Sequence, residues 1–403
     1  MTDLTGEVLE AGNPDYERAR TPALPNYHHI RPRAVVRCFT PDDVSNALAY
    51  ARESGIHVTP RGGGHCFAGR SSTTGIVLDL SPMNDVSVHD GTATIGAGAK
   101  LAEVYGGLHR HGLTLPAGCG PTVGIAGLTL GGGLGLLGRR YGLTSDRLRA
   151  AQVVLPDSRI VDCAHDREPD LFWALRGAGG GQFGVVTKLV FDPVPEQLAT
   201  RFVLTWPSSR AADVLQKWQE IAPDAPDELS ANLKIDARGA TVFGTGRPDD
   251  FLDLAPATSD IRTMPYFELK QSFDELGELD PGPVLSRSHF FRRAVLALDD
   301  LGPGRELNFT PMGGAYNRTS RAATAFAHRS ERFLVEHVSA DADWVHQTWA
   351  QLHEHASGGV YPNFPDLHLA DPLTAYHGEN LARLKEIKRH YDPTGLLHFP
   401  QSL

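Results

Sequence analysis

Three glycine runs constrain this chain more than any other feature of its sequence: RGGGH (61–65), GIAGLTLGGGLGLLG (124–138) and RGAGGGQFG (176–184). Glycine permits positive φ and close approach of main chain to main chain or to a ligand, at an entropic cost on folding. Successive exposed backbone N–H groups also form a nest for phosphate oxygens. Three runs, each beside a β segment, exceed what tight turns need and direct attention to a phosphate-bearing ligand. Two of them contain GxGxxG, at Gly133, Gly135 and Gly138 and at Gly179, Gly181 and Gly184. A nicotinamide-type dinucleotide fold is the alternative these invite. Context disfavours it: the first match does not directly follow an apolar strand, and the second opens the strand GVVTKLVF where a helix is required.

The segments around the runs read as mixed structure. VVRCFTPDDVSNALAYARESGIHVTP is a β-α-β unit with Thr40 as N-cap, Pro41 at the first helical position and Val44, Ala47, Leu48 and Ala51 on one face. Asp90-Gly91 joins two alternating runs into a hairpin, and AAQVVLPDSRIVDCA is a second hairpin before the short helix PDLFWALR. Beyond Pro193 and Pro195 the glycine bunches stop, and strands such as RFVLTWP alternate with helices such as AADVLQKWQEIA. ENLARLKEIKRHYDPTG is a final amphipathic helix stopped at Asp392-Pro393.

At 403 residues the chain is long enough for two or three domains. With 38 basic and 48 acidic side chains its formal charge is −10, and no clustered Lys or Arg stands ready to neutralise phosphate. That argues against nucleic-acid and anionic-membrane partners and for small molecules. The N-terminus has no signal-like basic start and apolar core, and no stretch suffices for a membrane span, so a cytoplasmic protein is expected. Cys38, Cys66, Cys119 and Cys163 have neither CxxC nor Cys/His ligand spacing, so no metal site is expected.

RGGGHCFAGRSS, PTVGIAGLTLGGGLGLLGRRYGLTSD, LFWALRGAGGGQFGVVT, YPNFPDLHL and YDPTGLLHFPQSL, in this order, resemble the flavin oxidases related to vanillyl-alcohol oxidase, and within them the berberine-bridge-enzyme-like group. The resemblance spans about residues 30 to 195 and 360 to the end. It implies an α+β fold: a PCMH-type FAD-binding domain split between residues 1–196 and 356–403, and an inserted α+β substrate domain, 197–355, built on an antiparallel sheet. The composition shift falls at the same places.

Carried onto this sequence, the resemblance implies FAD bonded covalently to His65, with Gly62, Gly63, Gly64 and Ser71 around the pyrophosphate and Arg61 as an added charge or a solvated surface residue. Pro121, Thr122, Val123, Gly124, Gly127, Leu128, Gly131, Gly132, Gly133, Tyr141, Gly142, Gly184, Val186, Asn363 and Asn380 are the other expected cofactor contacts. Many relatives carry a second anchor, a cysteine directly before PTVG; here that position is Gly120, and Cys119 is expected to be a buried bystander. Leu128 replaces a histidine common in doubly linked relatives. Both departures resemble the singly linked branch of bacterial amine and alcohol oxidases such as 6-hydroxy-nicotine oxidase. Val123 at the oxygen gate implies dioxygen as electron acceptor.

Tyr361 is the expected catalytic phenol, needing a neighbour to lower its pKa from ~10. Asn308 and Thr310 fall where relatives place its polar or acidic partner, and neither is acidic. The implied activity is oxidation of a small alcohol or amine with release of hydrogen peroxide. A flavin-dependent oxygenase or cyclase, and a flavin-binding protein without turnover, are the alternatives. Substrate identity and oligomeric state stay open.

Overall fold

The computed structural model describes residues 4–274, 284–294 and 301–403. Its first half holds two sheets. One is four-stranded, with β1 (Glu7–Glu10), β2 (Ala34–Arg37), β3 (Val58–Arg61) and β4 (Ile76–Asp79) in the order β1-β2-β4-β3. The helix Pro41–Ser54 crosses between β2 and β3, both parallel to β4. As the sequence predicts, Thr40 caps it: its side chain accepts from Asp43 N while Asp43 returns the bond, a full capping box.

The second sheet contains β5 (Val86–His89), β6 (Thr92–Gly96), β8 (Leu148–Val154), β9 (Ile160–Ala164) and β10 (Val185–Phe191), ordered β5-β6-β10-β8-β9. β7 (Leu113–Thr114) pairs separately with β11 (Val194–Pro195). Asp90 and Gly91 make the β5–β6 turn with φ of 47° and 73°. One apolar core fills the space between the sheets and their helices.

Seven strands form the third sheet, in which every pairing is antiparallel: β12 (Leu198–Pro207), β13 (Ser230–Asp236), β14 (Gly239–Thr245), β15 (Thr258–Pro265), β16 (Leu285–Phe291), β17 (Arg305–Pro311) and β18 (Phe333–Ser339). Their order is β15-β12-β14-β13-β17-β18-β16. Period-two alternation sorts the two faces. Leu204, Leu233, Leu307, Phe309, Phe333 and Val335 join Trp218 and Val345 of two covering helices in a core of their own. The opposite face carries Val203 and Phe243, which pack against the core of the first half.

The C-terminal segment returns to the first half. The helix Leu381–Tyr391 buries Leu384 and Ile387 there, and Lys388 Nζ donates to the carbonyls of Gln182 and Leu397 (2.5 and 2.6 Å) and pairs with Asp392 at 2.7 Å. Arg70 lies over the Phe399 ring, 4.6 Å from its centroid, and Leu403 N donates to Gln182 Oε1. This is a mixed α and β architecture of the kind the sequence predicts.

Candidate functional site

The loop after β3 and the loop before the short helix Ile125–Leu130 touch through main chain. A Cβ on Gly63 would stand 2.2 Å from Gly124 N, and one on Gly124 would stand 2.4 Å from Gly63 N. Both positions therefore require glycine for contact between the loops themselves. The first loop keeps its donors free: no backbone N–H from Gly62 to Cys66 donates to a described residue. Unpaired backbone donors are rare unless water or a ligand takes them, so five in succession fit an anionic group such as a pyrophosphate.

His65 closes this loop. Its Nε2 lies 3.0 Å from the Thr122 hydroxyl, and the ring also interacts with the Thr122 main chain. Burial pulls its pKa below the ordinary histidine value, so the ring is neutral at pH 7. Thr122 and Gly127 are exposed; Pro121, Val123 and Leu128 are half-buried. The Pro121 and Val123 carbonyls accept from Ala102 and Leu101, fastening the loop to the helix Leu101–His109.

The next glycines are packed against side chains. A Cβ on Gly131, Gly132 or Gly133 would meet Asn363, Phe326 or Thr144 respectively at 2.9 Å or less. Asn363 Nδ2 donates to the Leu128 carbonyl (2.8 Å) and to the Tyr361 hydroxyl oxygen (3.0 Å). That oxygen also accepts from Gly133 N (3.1 Å) and Leu134 N (3.0 Å). Three donors converge on one phenol, and its own proton has no acceptor among the described residues. Burial pushes the Tyr361 pKa up, while the three donors act in the opposite direction.

Other expected contacts have different occupations. Arg61 is buried, donating to the Ser71 and Ala19 carbonyls at 2.9 and 2.8 Å, and desolvation lowers its pKa to about 10. It is an internal tie and no surface residue, and Ser71 enters through its carbonyl. Asn380 Nδ2 is spent on the carbonyls of Arg321, Thr324 and Ala325. Gly184 and Val186 lie in the core beside β8, and Gly142 makes room for Asp146. Tyr141 is half-buried under Arg140, 5.1 Å from the ring centroid. Cys119 is half-buried where full burial was expected, and Lys270 Nζ donates to its Sγ at 3.1 Å.

The third sheet supplies the facing wall. Its inner-face row of Thr310, Leu334 and Phe290 meets Tyr361, with the Phe290 and Tyr361 ring centroids 6.3 Å apart. One row further, Lys234, Asn308, Glu336 and Ser288 stand side by side. The carboxyl that is absent from Asn308 and Thr310 is thus present on the adjacent strand, as Glu336. Sequence reasoning missed it; the signal was a single acidic residue inside the apolar strand FLVEHVS. Glu336 Oε1 accepts from Ser286 Oγ at 2.6 Å, and burial raises its pKa to about 7.

A nest beside a neutral histidine, facing a phenol and a carboxyl, is the setting in which the comparisons with known proteins fall. Residues 32–164 match the FAD-binding domain family and residues 360–403 the berberine and berberine-like family. The chain belongs to the berberine-bridge-enzyme-like FAD-linked oxidoreductases. It is 32% identical to the FAD-linked oxidoreductase YgaK of Bacillus subtilis, over all of this chain and 97% of that protein. BBE-like 1 of Physcomitrella patens superposes with a TM-score of 0.90 at 26% identity, covering 100% of this chain and 97% of the other. Glucooligosaccharide oxidase of Acremonium strictum, which carries a 6-S-cysteinyl, 8α-N1-histidyl FAD, gives a TM-score of 0.85 at 25% identity, covering 98% and 96%. Among the described residues no helix is long and apolar enough to cross a membrane, and no cluster could hold a metal ion.

Proposed function

We propose that the protein is an oxidase that dehydrogenates a small alcohol or amine, with FAD bonded covalently to His65 and dioxygen as the final acceptor. When bound, FAD would supply the redox chemistry, as acceptor of hydride and donor of electrons to oxygen. The rest falls to the chain. Gly62, Gly63, Gly64 and His65 would hold the pyrophosphate through their free N–H groups, and neutral His65 would form the bond through Nδ1. A single link is expected, since Gly120 stands where a second anchor would be.

Tyr361 carries the reading. A phenol oxygen that accepts from Gly133, Leu134 and Asn363 is arranged to bear negative charge, and its unclaimed proton is free to exchange with substrate. The inner row of the third sheet closes the other side.

Tyr361→Phe keeps the ring and removes that oxygen. Loss of general acid–base catalysis typically costs ~10²–10⁴-fold, so anaerobic flavin reduction by stopped flow should slow by at least about a hundredfold at unchanged flavin content. Reduction within about threefold of wild type would demote Tyr361 to positioning substrate.

A further inference from the structure

The third sheet ends on β15, and that edge is open. Every residue from Thr258 to Thr263 is exposed, so both faces of the strand stand in solvent as well as its rim. β12 takes one side of the strand. Tyr266 N donates to the Gln197 carbonyl at 3.2 Å, which places the even-numbered residues of β15 in the hydrogen-bonded pairs of that ladder. The N–H and C=O groups of Ser259, Ile261 and Thr263 therefore point outward, where no described residue bonds to them. Free edges of this kind are templates for another strand, and charge or proline ordinarily blunts them. Pro265 limits this one at its end.

The charges on β15 select a partner instead of repelling one. Placed antiparallel to itself with Ile261 opposite Ile261, the strand sets Ser259 against Thr263 and Asp260 against Arg262. The outward groups then meet in hydrogen-bonded pairs, about six bonds in all, and each Asp260–Arg262 pair falls at a non-hydrogen-bonded position, where side chains approach most closely. The two neighbouring registers that keep the outward groups matched oppose Asp260 to Asp260 or Arg262 to Arg262, and like charges directly opposite are destabilising. Within one chain Asp260 Oδ2 accepts from Arg201 at 2.7 Å and from Arg262 at 2.8 Å, while Oδ1 takes no donor from the described residues. Ile261, exposed in one chain, would be covered by its own copy at the axis. We infer that two copies of this chain associate through β15, antiparallel about a twofold axis at Ile261, and run their third sheets into one. β15 lies at the opposite edge of the sheet from β16, whose Phe290 faces Tyr361, so the contact leaves each flavin site within its own chain.

The test is sedimentation velocity of the full flavin-loaded chain. One strand pair buries less than the ~1,200 Å² of a standard interface, so a dimer that forms between about 1 and about 200 μM is expected. Arg262→Glu and Asp260→Lys each place like charges across the axis and should weaken it by at least about tenfold. Mixed in equal amounts, the two should form a heterodimer within about threefold of wild-type affinity, because the new glutamate of one faces the new lysine of the other while the native pair is kept. Ile261→Pro removes an outward N–H, leaves the ladder to β12 intact and should abolish the dimer. Flavin content should stay unchanged throughout. Asp260 also holds Arg201, so a measurement without substitution stands beside these: amide exchange over 259–263 in the wild type should slow as concentration rises. A monomer at every concentration, a dimer that survives Arg262→Glu and Ile261→Pro, folded charge variants that do not pair on mixing, or exchange over 259–263 indifferent to concentration would overturn the inference.

Discussion

The two walls of the site are made of different material. The wall from the first half is main chain: Gly63 against Gly124, a row of free N–H groups, and glycines 131–133 fitted around Asn363, Phe326 and Thr144. The wall from the third sheet is side chain: Thr310, Asn308, Glu336 and Phe290, on the antiparallel strands β17, β18 and β16, with β16 at the sheet edge bonded outward to the loop at Ser357 and Gly359. Main chain binds whatever carries phosphate and tolerates no substitution. Side chains on a sheet can be exchanged singly without disturbing the ladder beneath, so the first wall suits an invariant cofactor and the second a substrate that differs between relatives.

That contrast predicts its own hierarchy of effects. Gly63→Ala should be the most severe, because the new Cβ would press on backbone that no rotamer change can move. A loss above about 4 kcal/mol, seen as failure to recover folded yellow protein, is expected. Thr310→Ala, on the other wall, should leave Tm within a degree or two; equal damage from both would break the distinction.

His65→Ala comes next and sharpens the first wall into its parts. The variant should still bind flavin through the N–H nest but release it when denatured, whereas wild-type flavin should stay with the polypeptide after acid precipitation. Flavin lost from denatured wild type would remove the covalent link. Recovery of a flavin peptide containing Cys119 would add a second one.

Asn380→Ala separates cofactor contact from scaffold. Its amide is committed to three carbonyls, so the variant should lose about 1–3 kcal/mol of stability in denaturant melts with no change in flavin spectrum. An unchanged Tm with a shifted spectrum would return Asn380 to the cofactor.

The last effect concerns Glu336, no larger than that of Asn380 and opposite in sign. Because burial raises the folded pKa to about 7, above the ordinary glutamate value, folding favours the protonated carboxyl. The resulting penalty is absent below about pH 4.5, grows as pH rises toward 7 and is constant above. Glu336→Gln should therefore raise stability at pH 8, by up to about 1–3 kcal/mol, and leave it unchanged near pH 4.

The same contrast explains how much could be read from sequence. The main-chain wall was legible because close backbone approach excludes every side chain at the position concerned, so the requirement is written as glycine whatever the register. Tyr361 and Asn363 were legible with it, as members of one short motif. Glu336 was not, because nothing in FLVEHVS tells which residue of β17 will stand beside it; pairing to Asn308 is fixed only when the strands align. Arg61, Asn380, Gly184 and Val186 show that a residue near a motif also has scaffold work, hydrogen-bonded ties for the first two and core packing for the last two.

The C-terminal return has a consequence for biosynthesis. Tyr361 and Asn363 meet the glycine loops from about 300 residues beyond His65, and the helix Leu381–Tyr391 with its Lys388 ties seals the core of the first half. At ~5–20 residues per second, the ribosome needs about 15–60 s between the two. During that interval the nascent chain lacks Tyr361, Asn363 and the closing helix, so the site is incomplete until residues 360–403 arrive. Flavin supply then acts on the finished polypeptide, and starvation for it should leave a pool of full-length, colourless protein ready to be loaded.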